Sequence, residues 1–139
     1  MITTSRTGAR PGTRGIRVAM STAPVCVHAT APLAQALAMM GRNRLRHLIV
    51  LDEAGRCAGV LDDRSIVAAW AADPGALDHL RVAAVLPAPA AILGDRATVV
   101  DAARLMGDLA VDAVAVVDSR GVPIGIVTGG DLIGLLGER

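Results

Sequence analysis

An α/β fold made of two tandem β-α-β-β-α units, packed with pseudo-two-fold symmetry, is what this sequence predicts. Three observations predict it. Residues 46–61 align with residues 112–127 without a gap, Asp52 falling on Asp118, Gly55 on Gly121 and Gly59 on Gly125, an offset of 66 residues. Upstream, the same offset carries Leu33, Ala36, Leu37 and Met40 onto Val99, Ala102, Ala103 and Met106. Each of those sets is spaced i, i+3, i+4, i+7, the apolar stripe of an amphipathic helix. Finally, paired apolar runs flank the turns Asp52-Glu-Ala-Gly55 and Asp118-Ser-Arg-Gly121, which carry hairpin chemistry. A repeat at constant offset should be read before any single element.

Each unit then reads in one order. A short strand comes first (about 25–27 and 91–93), followed by the amphipathic helix (about 31–41 and 97–107). Two paired strands follow (about 48–51 with 58–61, and 114–117 with 124–127), and a helix closes the unit (about 64–71 and 130–136). Thr30 and Thr98 are the expected caps of the first helices, Thr98 having Asp101 three residues on. Ala72-Asp-Pro-Gly75 reads as a turn between the units, with a short helix over about 76–80. The expected organisation is a flexible Arg-containing tail (1–15), a first motif (16–71), a linker (72–81) and a second motif (82–139). Neither unit alone can bury its apolar faces, so the two should pack together and leave clefts at their junction.

Composition narrows the function classes. Of 139 residues, 53% are hydrophobic, yet Phe and Tyr are absent and Trp70 is the single aromatic. Base-stacking nucleic-acid modules need aromatic platforms, and a net charge of +1 provides no attracting field, so no nucleic-acid partner is expected. All 14 basic residues are Arg, which excludes lysine chemistry. Cys26 and Cys57 do not make a disulfide framework. Residues 1–15 lack the apolar core of a signal peptide. The longest apolar stretch, 83–93, is too short for a bilayer and holds Pro87 and Pro89, so a soluble, cytoplasmic protein with no membrane partner is expected.

One stretch carries chemistry. Gly125-Ile-Val-Thr128-Gly129-Gly130-Asp131 reads as a strand running into a helix. Thr-x-x-Asp there is a capping pattern, with the carboxylate where the helix dipole favours negative charge. The same junction offers an outside ligand backbone N–H groups and a carboxylate, and two glycines that permit close approach.

These pieces together resemble the CBS domain, the tandem regulatory motif named after cystathionine β-synthase. The resemblance is carried by Val18-Ala-Met20-Ser with Pro24-Val-Cys-Val, by Ala31-Pro-Leu-Ala-Gln-Ala-Leu37 and by Arg46-His-Leu-Ile-Val-Leu-Asp52. In the second unit it is carried by Ala113-Val-Ala-Val-Val-Asp118 and Gly125-Ile-Val-Thr-Gly-Gly-Asp131-Leu. It implies a non-catalytic regulatory module, commonly a homodimer, that binds AMP, ADP, ATP or S-adenosylmethionine and signals to an effector protein. Thr128 would hold phosphate and Asp131 ribose, with Gly129 and Gly130 beside them. The adenine would lie between Ala90, Ala91 and Ile92 on one side and Val111, Asp112 and Ala113 on the other. No resident cofactor is implied.

The first unit departs from this pattern, placing Asp62 where the second has Thr128 and Ser65 where it has Asp131. Two carboxylates, Asp62 and Asp63, would repel a phosphate, and Ser65 lacks the paired acceptors of a ribose-binding acid. Asp62-x-x-Ser65 still caps a helix, so at most one well-formed nucleotide site per chain is expected, built around Thr128 and Asp131. Cys26 and His28 share a strand face, but their repeat partners are Ile92 and Gly94 and no third ligand is near, so no metal site is expected. His47 closes a strand end or stacks on a base. Arg42, Arg44 and Arg46 suit a helix C-terminus and solvent, with a phosphate contact in the first unit's cleft as the second reading. Met39, Met40 and Met106 are packing residues, and Trp70 is a core or dimer-interface anchor. No Ser–His–acid arrangement is evident in sequence.

Overall fold

In the computed structural model, residues 13–138 are described. A 3-10 turn (Ile16–Val18) leads into strands β1 (Ser21–Thr22) and β2 (Cys26–His28), then helix α1 (Leu33–Asn43). Strands β3 (His47–Leu51) and β4 (Cys57–Asp62) precede helix α2 (Asp63–Ala72) and two short helices, α3 (Ala76–His79) and α4 (Val82–Val85). The second half holds β5 (Ile92–Gly94), α5 (Val99–Leu109), β6 (Ala113–Val117), β7 (Pro123–Thr128) and α6 (Gly129–Gly137). The predicted α/β pair is therefore the observed fold. The main strands and closing helices fall within about one residue of expectation, and α1 and α5 begin two residues later than expected.

Two sheets form, a three-stranded one ordered β2-β3-β4 and a four-stranded one ordered β1-β7-β6-β5. The central strands β3 and β6 are apolar on both faces because both faces are covered. Leu48 and Val50 point to the core shared with α1 and α2, whereas Ile49 points to the opposite sheet. In β6, Val114 and Val116 face α5 and α6, while Ala113 and Ala115 meet Ile49 and Val60 between the sheets. Cys26 and Cys57 sit at this intersheet layer, half buried, and burial raises both thiol pKa values.

The hairpin turns repeat in atomic detail. Asp52 Oδ1 accepts from the N–H groups of Ala54 and Arg56, both at 2.9 Å; Asp118 Oδ1 accepts from Arg120 at 2.9 Å and Val122 at 3.0 Å. Gly55 and Gly121 take φ of 79° and 83°, the left-handed conformation that favours glycine. Thr98 and Asp101 form the expected capping box on α5. Thr30 does not cap α1, whose N-cap is Pro32 without a side-chain bond. Pro32 is the repeat counterpart of Thr98, so here the two units differ in chemistry at one position.

The units also exchange their leading segments. Ile16 is fully buried in the core of the second half, whereas Val82, its repeat counterpart, is fully buried in the core of the first. Hydrogen bonds repeat this crossing: the N–H of Ile16 donates to Ala97 O, and that of Val82 to Ala31 O, both at 2.9 Å. Strand β1 pairs with β7, Ser21 lying opposite Ile126. A Cβ on Gly125 would fall 2.7 Å from Met20 Sδ and 2.8 Å from the Ser21 carbonyl, which is why glycine is required at this approach. Most of the expected tail, residues 1–12, lies outside the described residues. At its end, Arg14 and Gly15 are fixed against the start of α5, through the Val99 N–H and a bridge to Thr98.

Candidate functional site

Thr128 ends β7 and caps α6. Its hydroxyl accepts from the Asp131 N–H at 3.2 Å, the cap expected from sequence, and Asp131 Oδ2 accepts from the Thr128 N–H at 2.8 Å, which closes a reciprocal box. Gly129 donates its N–H to Asp112 O at 2.9 Å, which locks the start of α6 to the start of β6. On α2 the arrangement is half as complete: Asp62 Oδ1 accepts from the Ser65 N–H at 2.7 Å with no reciprocal bond.

Thr128 and Asp131 open onto a cleft of about 290 Å³ whose other walls, apart from Ile126, come from the first unit. Pro24, Val25 and Leu45, together with Ile126, give it an apolar slot; Arg46 and His47 stand at the start of β3. Five of the first-unit lining residues, Pro24, Val25, Leu45, Arg46 and His47, are the repeat counterparts of Ala90, Ala91, Val111, Asp112 and Ala113. The sequence reading placed that second-unit set beside Thr128. The structure instead puts Ala91, Val111, Asp112 and Ala113 in a different cleft, with Val60, Asp62, Pro87 and Pro89. Ala90 is exposed just ahead of β5, and Ile92 pairs with Ala115 within the sheet. Gly129 and Gly130 remain at the start of α6, next to the larger cleft. The physical reason is the packing: the sheets meet face to face through Ile49, Val60, Ala113 and Ala115, so the start of one half's central strand faces the closing helix of the other.

The second cleft has an inner slot that is nearly closed, with about 10 Å³ of free volume, and a shallow outer space of about 330 Å³ beside it, lined by Asp62, Arg64, Ser65, Pro87 and Val111. Pro87 and Pro89 stand where the larger cleft has Ser21 and Ala23. Between the clefts, His47 Nε2 lies 2.7 Å from Asp112 Oδ1, and His47 lines both. Burial pushes the Asp112 carboxyl up, but the His47 hydrogen bond, the His47 charge, its own backbone N–H and Arg64 together hold it below the ordinary carboxylate value. Arg46, expected in solvent, is exposed yet lines the larger cleft, its Nε donating to Asp63 Oδ2 at 3.1 Å. Arg46 and His47 are the site residues that sequence reasoning under-weighted; the signal was their coincidence with Asp112 and Ala113 under the repeat offset.

Trp70 is 50% exposed on α2 rather than in the core. It lines an apolar groove of about 220 Å³ with Leu37, Ile66, Val67 and Leu77. On α6 the repeat positions Ile133 and Leu136 are exposed too. Among the described residues, no three His, Cys, Asp or Glu side chains are grouped to hold a metal, and no helix is long and apolar enough to cross a membrane.

With this geometry, comparison with known proteins is direct. The family model for the CBS domain matches residues 15–72 and 83–138, and the chain belongs to that family as a tandem pair. A conserved CBS domain protein of unknown function from Thermoplasma acidophilum is 27% identical, with a TM-score of 0.78 over 86% of this chain and 67% of that one. The CBS domain pair of protein MJ0100, solved with 5′-methylthioadenosine and S-adenosyl-L-methionine, is 22% identical, with a TM-score of 0.78 over 88% of this chain and 99% of that one. A putative acetoin utilization protein from Vibrio cholerae is 20% identical, with a TM-score of 0.75 over 91% of this chain and 92% of that one. No curated protein matches the sequence.

Proposed function

We propose that this chain is a non-catalytic regulatory module that binds an adenosyl ligand (AMP, ADP, ATP or S-adenosylmethionine) in the cleft around Thr128 and Asp131. The observation that carries the reading is that cleft itself: an open space of about 290 Å³ with an apolar slot at one side and a threonine, an acid and a helix start at the other. The slot suits a purine, and the second carboxylate oxygen of Asp131, not used in the capping box, suits sugar hydroxyls. A solved neighbour of the same fold holds two adenosyl compounds, which supports the ligand class. Ligand binding in this cleft bridges the start of β3 from one unit and α6 from the other. It therefore shifts the population of packings available to the two halves, and an effector protein reads the shift. The exposed apolar residues of α2 and α6, Trp70 and Val67 with Leu136 and Ile133, are the proposed surface of a homodimer.

A thermal-shift screen tests it. A ligand at about a hundred times its dissociation constant adds about 2.7 kcal/mol of stability, several degrees for a domain of this size. We expect at least one of the four compounds to stabilise the wild type and to lose that effect in Asp131→Ala. A flat response to all four, with a dimer by light scattering, favours a second reading: a ligand-free scaffold acting through its apolar helix faces. The nearly closed inner slot of the second cleft, beside Asp62, is the observation on that side.

A further inference from the structure

We propose that the Thr128 cleft selects adenosyl ligands bearing a 5′-phosphate over uncharged or cationic ones, and that Arg46 is the residue that reads the charge. This rests on the adenosyl reading above and deepens it. Arg46 lines the cleft across from the start of α6. Asp63 accepts from its Nε alone, at 3.1 Å, on a side chain that is 69% exposed, and the two Nη groups have no acceptor among the described residues. A guanidinium fork in that state suits two oxygens of a phosphate. Asp131 is the single carboxylate on the lining, and its Oδ2 is already engaged by the Thr128 N–H, leaving the other oxygen for a diol. The cleft thus offers separate places for a base, a sugar and an anion.

The repeat supplies an internal contrast. Arg46 falls on Asp112, so the same wall position is cationic in the open cleft and anionic in the closed one. A sulfonium ligand offers the Nη groups no anion and sets its positive charge beside theirs, a repulsion that the Asp63 carboxylate offsets in part. A thioether leaves the Nη groups to water and gains nothing from them.

The experiment is calorimetric titration of the whole chain with AMP, adenosine, 5′-methylthioadenosine and S-adenosylmethionine, in the wild type, Arg46→Gln and Asp131→Ala. Glutamine keeps a neutral donor for Asp63, and unliganded melting temperatures report whether each variant folds. AMP is expected to bind at least about tenfold more tightly than adenosine, the usual size of a charge-assisted contact. In Arg46→Gln that gap closes, with adenosine affinity within about twofold of the wild-type value. If S-adenosylmethionine or the thioether binds as tightly as AMP, or if Arg46→Gln leaves AMP binding unchanged, the charge selection is overturned while the adenosyl site stands. If adenosine and all three derivatives fail to bind, the adenosyl reading falls and takes this one with it.

Discussion

The two clefts of this molecule are built from equivalent positions and have opposite characters. One is walled by Ser21, Ala23, Val25, Leu45, Arg46 and His47, facing Ile126, Thr128 and Asp131. The other is walled by Pro87, Pro89, Ala91, Val111, Asp112 and Ala113, facing Val60 and Asp62. Duplication fixed the backbone frame, the hairpin turns and the crossing of leading segments in both. What diverged is the wall: two prolines replace a hydroxyl and an alanine, an acid replaces an arginine, and one continuous space of about 290 Å³ becomes an inner slot of about 10 Å³ beside a shallow outer space. The frame tolerates this because the capping role at the helix start survives in Asp62 without Thr128's partner acid.

The largest expected effect tests the part of the comparison that is symmetric. Ile16 and Val82 each bury completely in the opposite half's core. Ile16→Ala should cost about 2–5 kcal/mol, and Val82→Ala somewhat less because fewer carbons are removed. Denaturant melts of both variants should show one transition with an unchanged slope. A second transition in either would mean that the halves are not joined by the exchange.

The clefts themselves can be interconverted on paper. Ser21→Pro places a proline where the closed cleft has one and removes the N–H at the edge of β1, so ligand-induced stabilisation should disappear, at about 1 kcal/mol in unliganded stability. Conversely, Asp62→Thr with Ser65→Asp restores the polar pattern but not the inner slot that would take the base. Calorimetry should still find one equivalent of ligand per chain, rising toward two only when Pro87→Ser and Pro89→Ala are added. Two equivalents in the double variant would show that polarity, and not volume, distinguishes the clefts.

Much of this was legible in the sequence, and the exceptions have physical causes. The helices were readable because their burial is periodic, α5 burying Val99, Ala102 and Met106, and β6 was readable as an unbroken apolar run because every residue of it is buried. The Thr128–Asp131 box was readable because its partners lie three residues apart. The wall facing it was not. A repeat says that two equal units exist, but which unit's strand faces which unit's helix is decided by side-chain packing between sheets, through residues as unremarkable as Ala113 and Ala115. Thr30 was mistaken for a cap because it precedes the helix, although the offset itself points to Pro32.

Caps give the next effect in size and sharpen the comparison at the helix starts. Thr128→Ala and Asp62→Ala each remove a side chain that accepts from a first-turn N–H, and each should cost about 1 kcal/mol by chemical denaturation. Their stability costs should be alike, while the ligand response is lost only in Thr128→Ala. Equal loss of ligand response in both would place the binding site across the two clefts.

The smallest effect lies on the boundary between the clefts. Asp112 keeps a depressed pKa because its bond to His47 and the nearby positive charges outweigh the effect of burial. A carboxyl whose folded pKa lies below the unfolded value near 3.9 stabilises the fold above that value, and the contribution is lost as pH falls through the folded pKa. With the Asp112 side chain 53% exposed, solvent screens much of it, so the acid limb of a pH–stability curve should move only slightly. In His47→Gln the Asp112 carboxyl should titrate higher, by carbon NMR, and the stability difference from wild type should vanish below the unfolded pKa. If Asp112 titrates unchanged in that variant, Arg64 and the backbone hold it down, and the contact between the clefts is packing rather than charge.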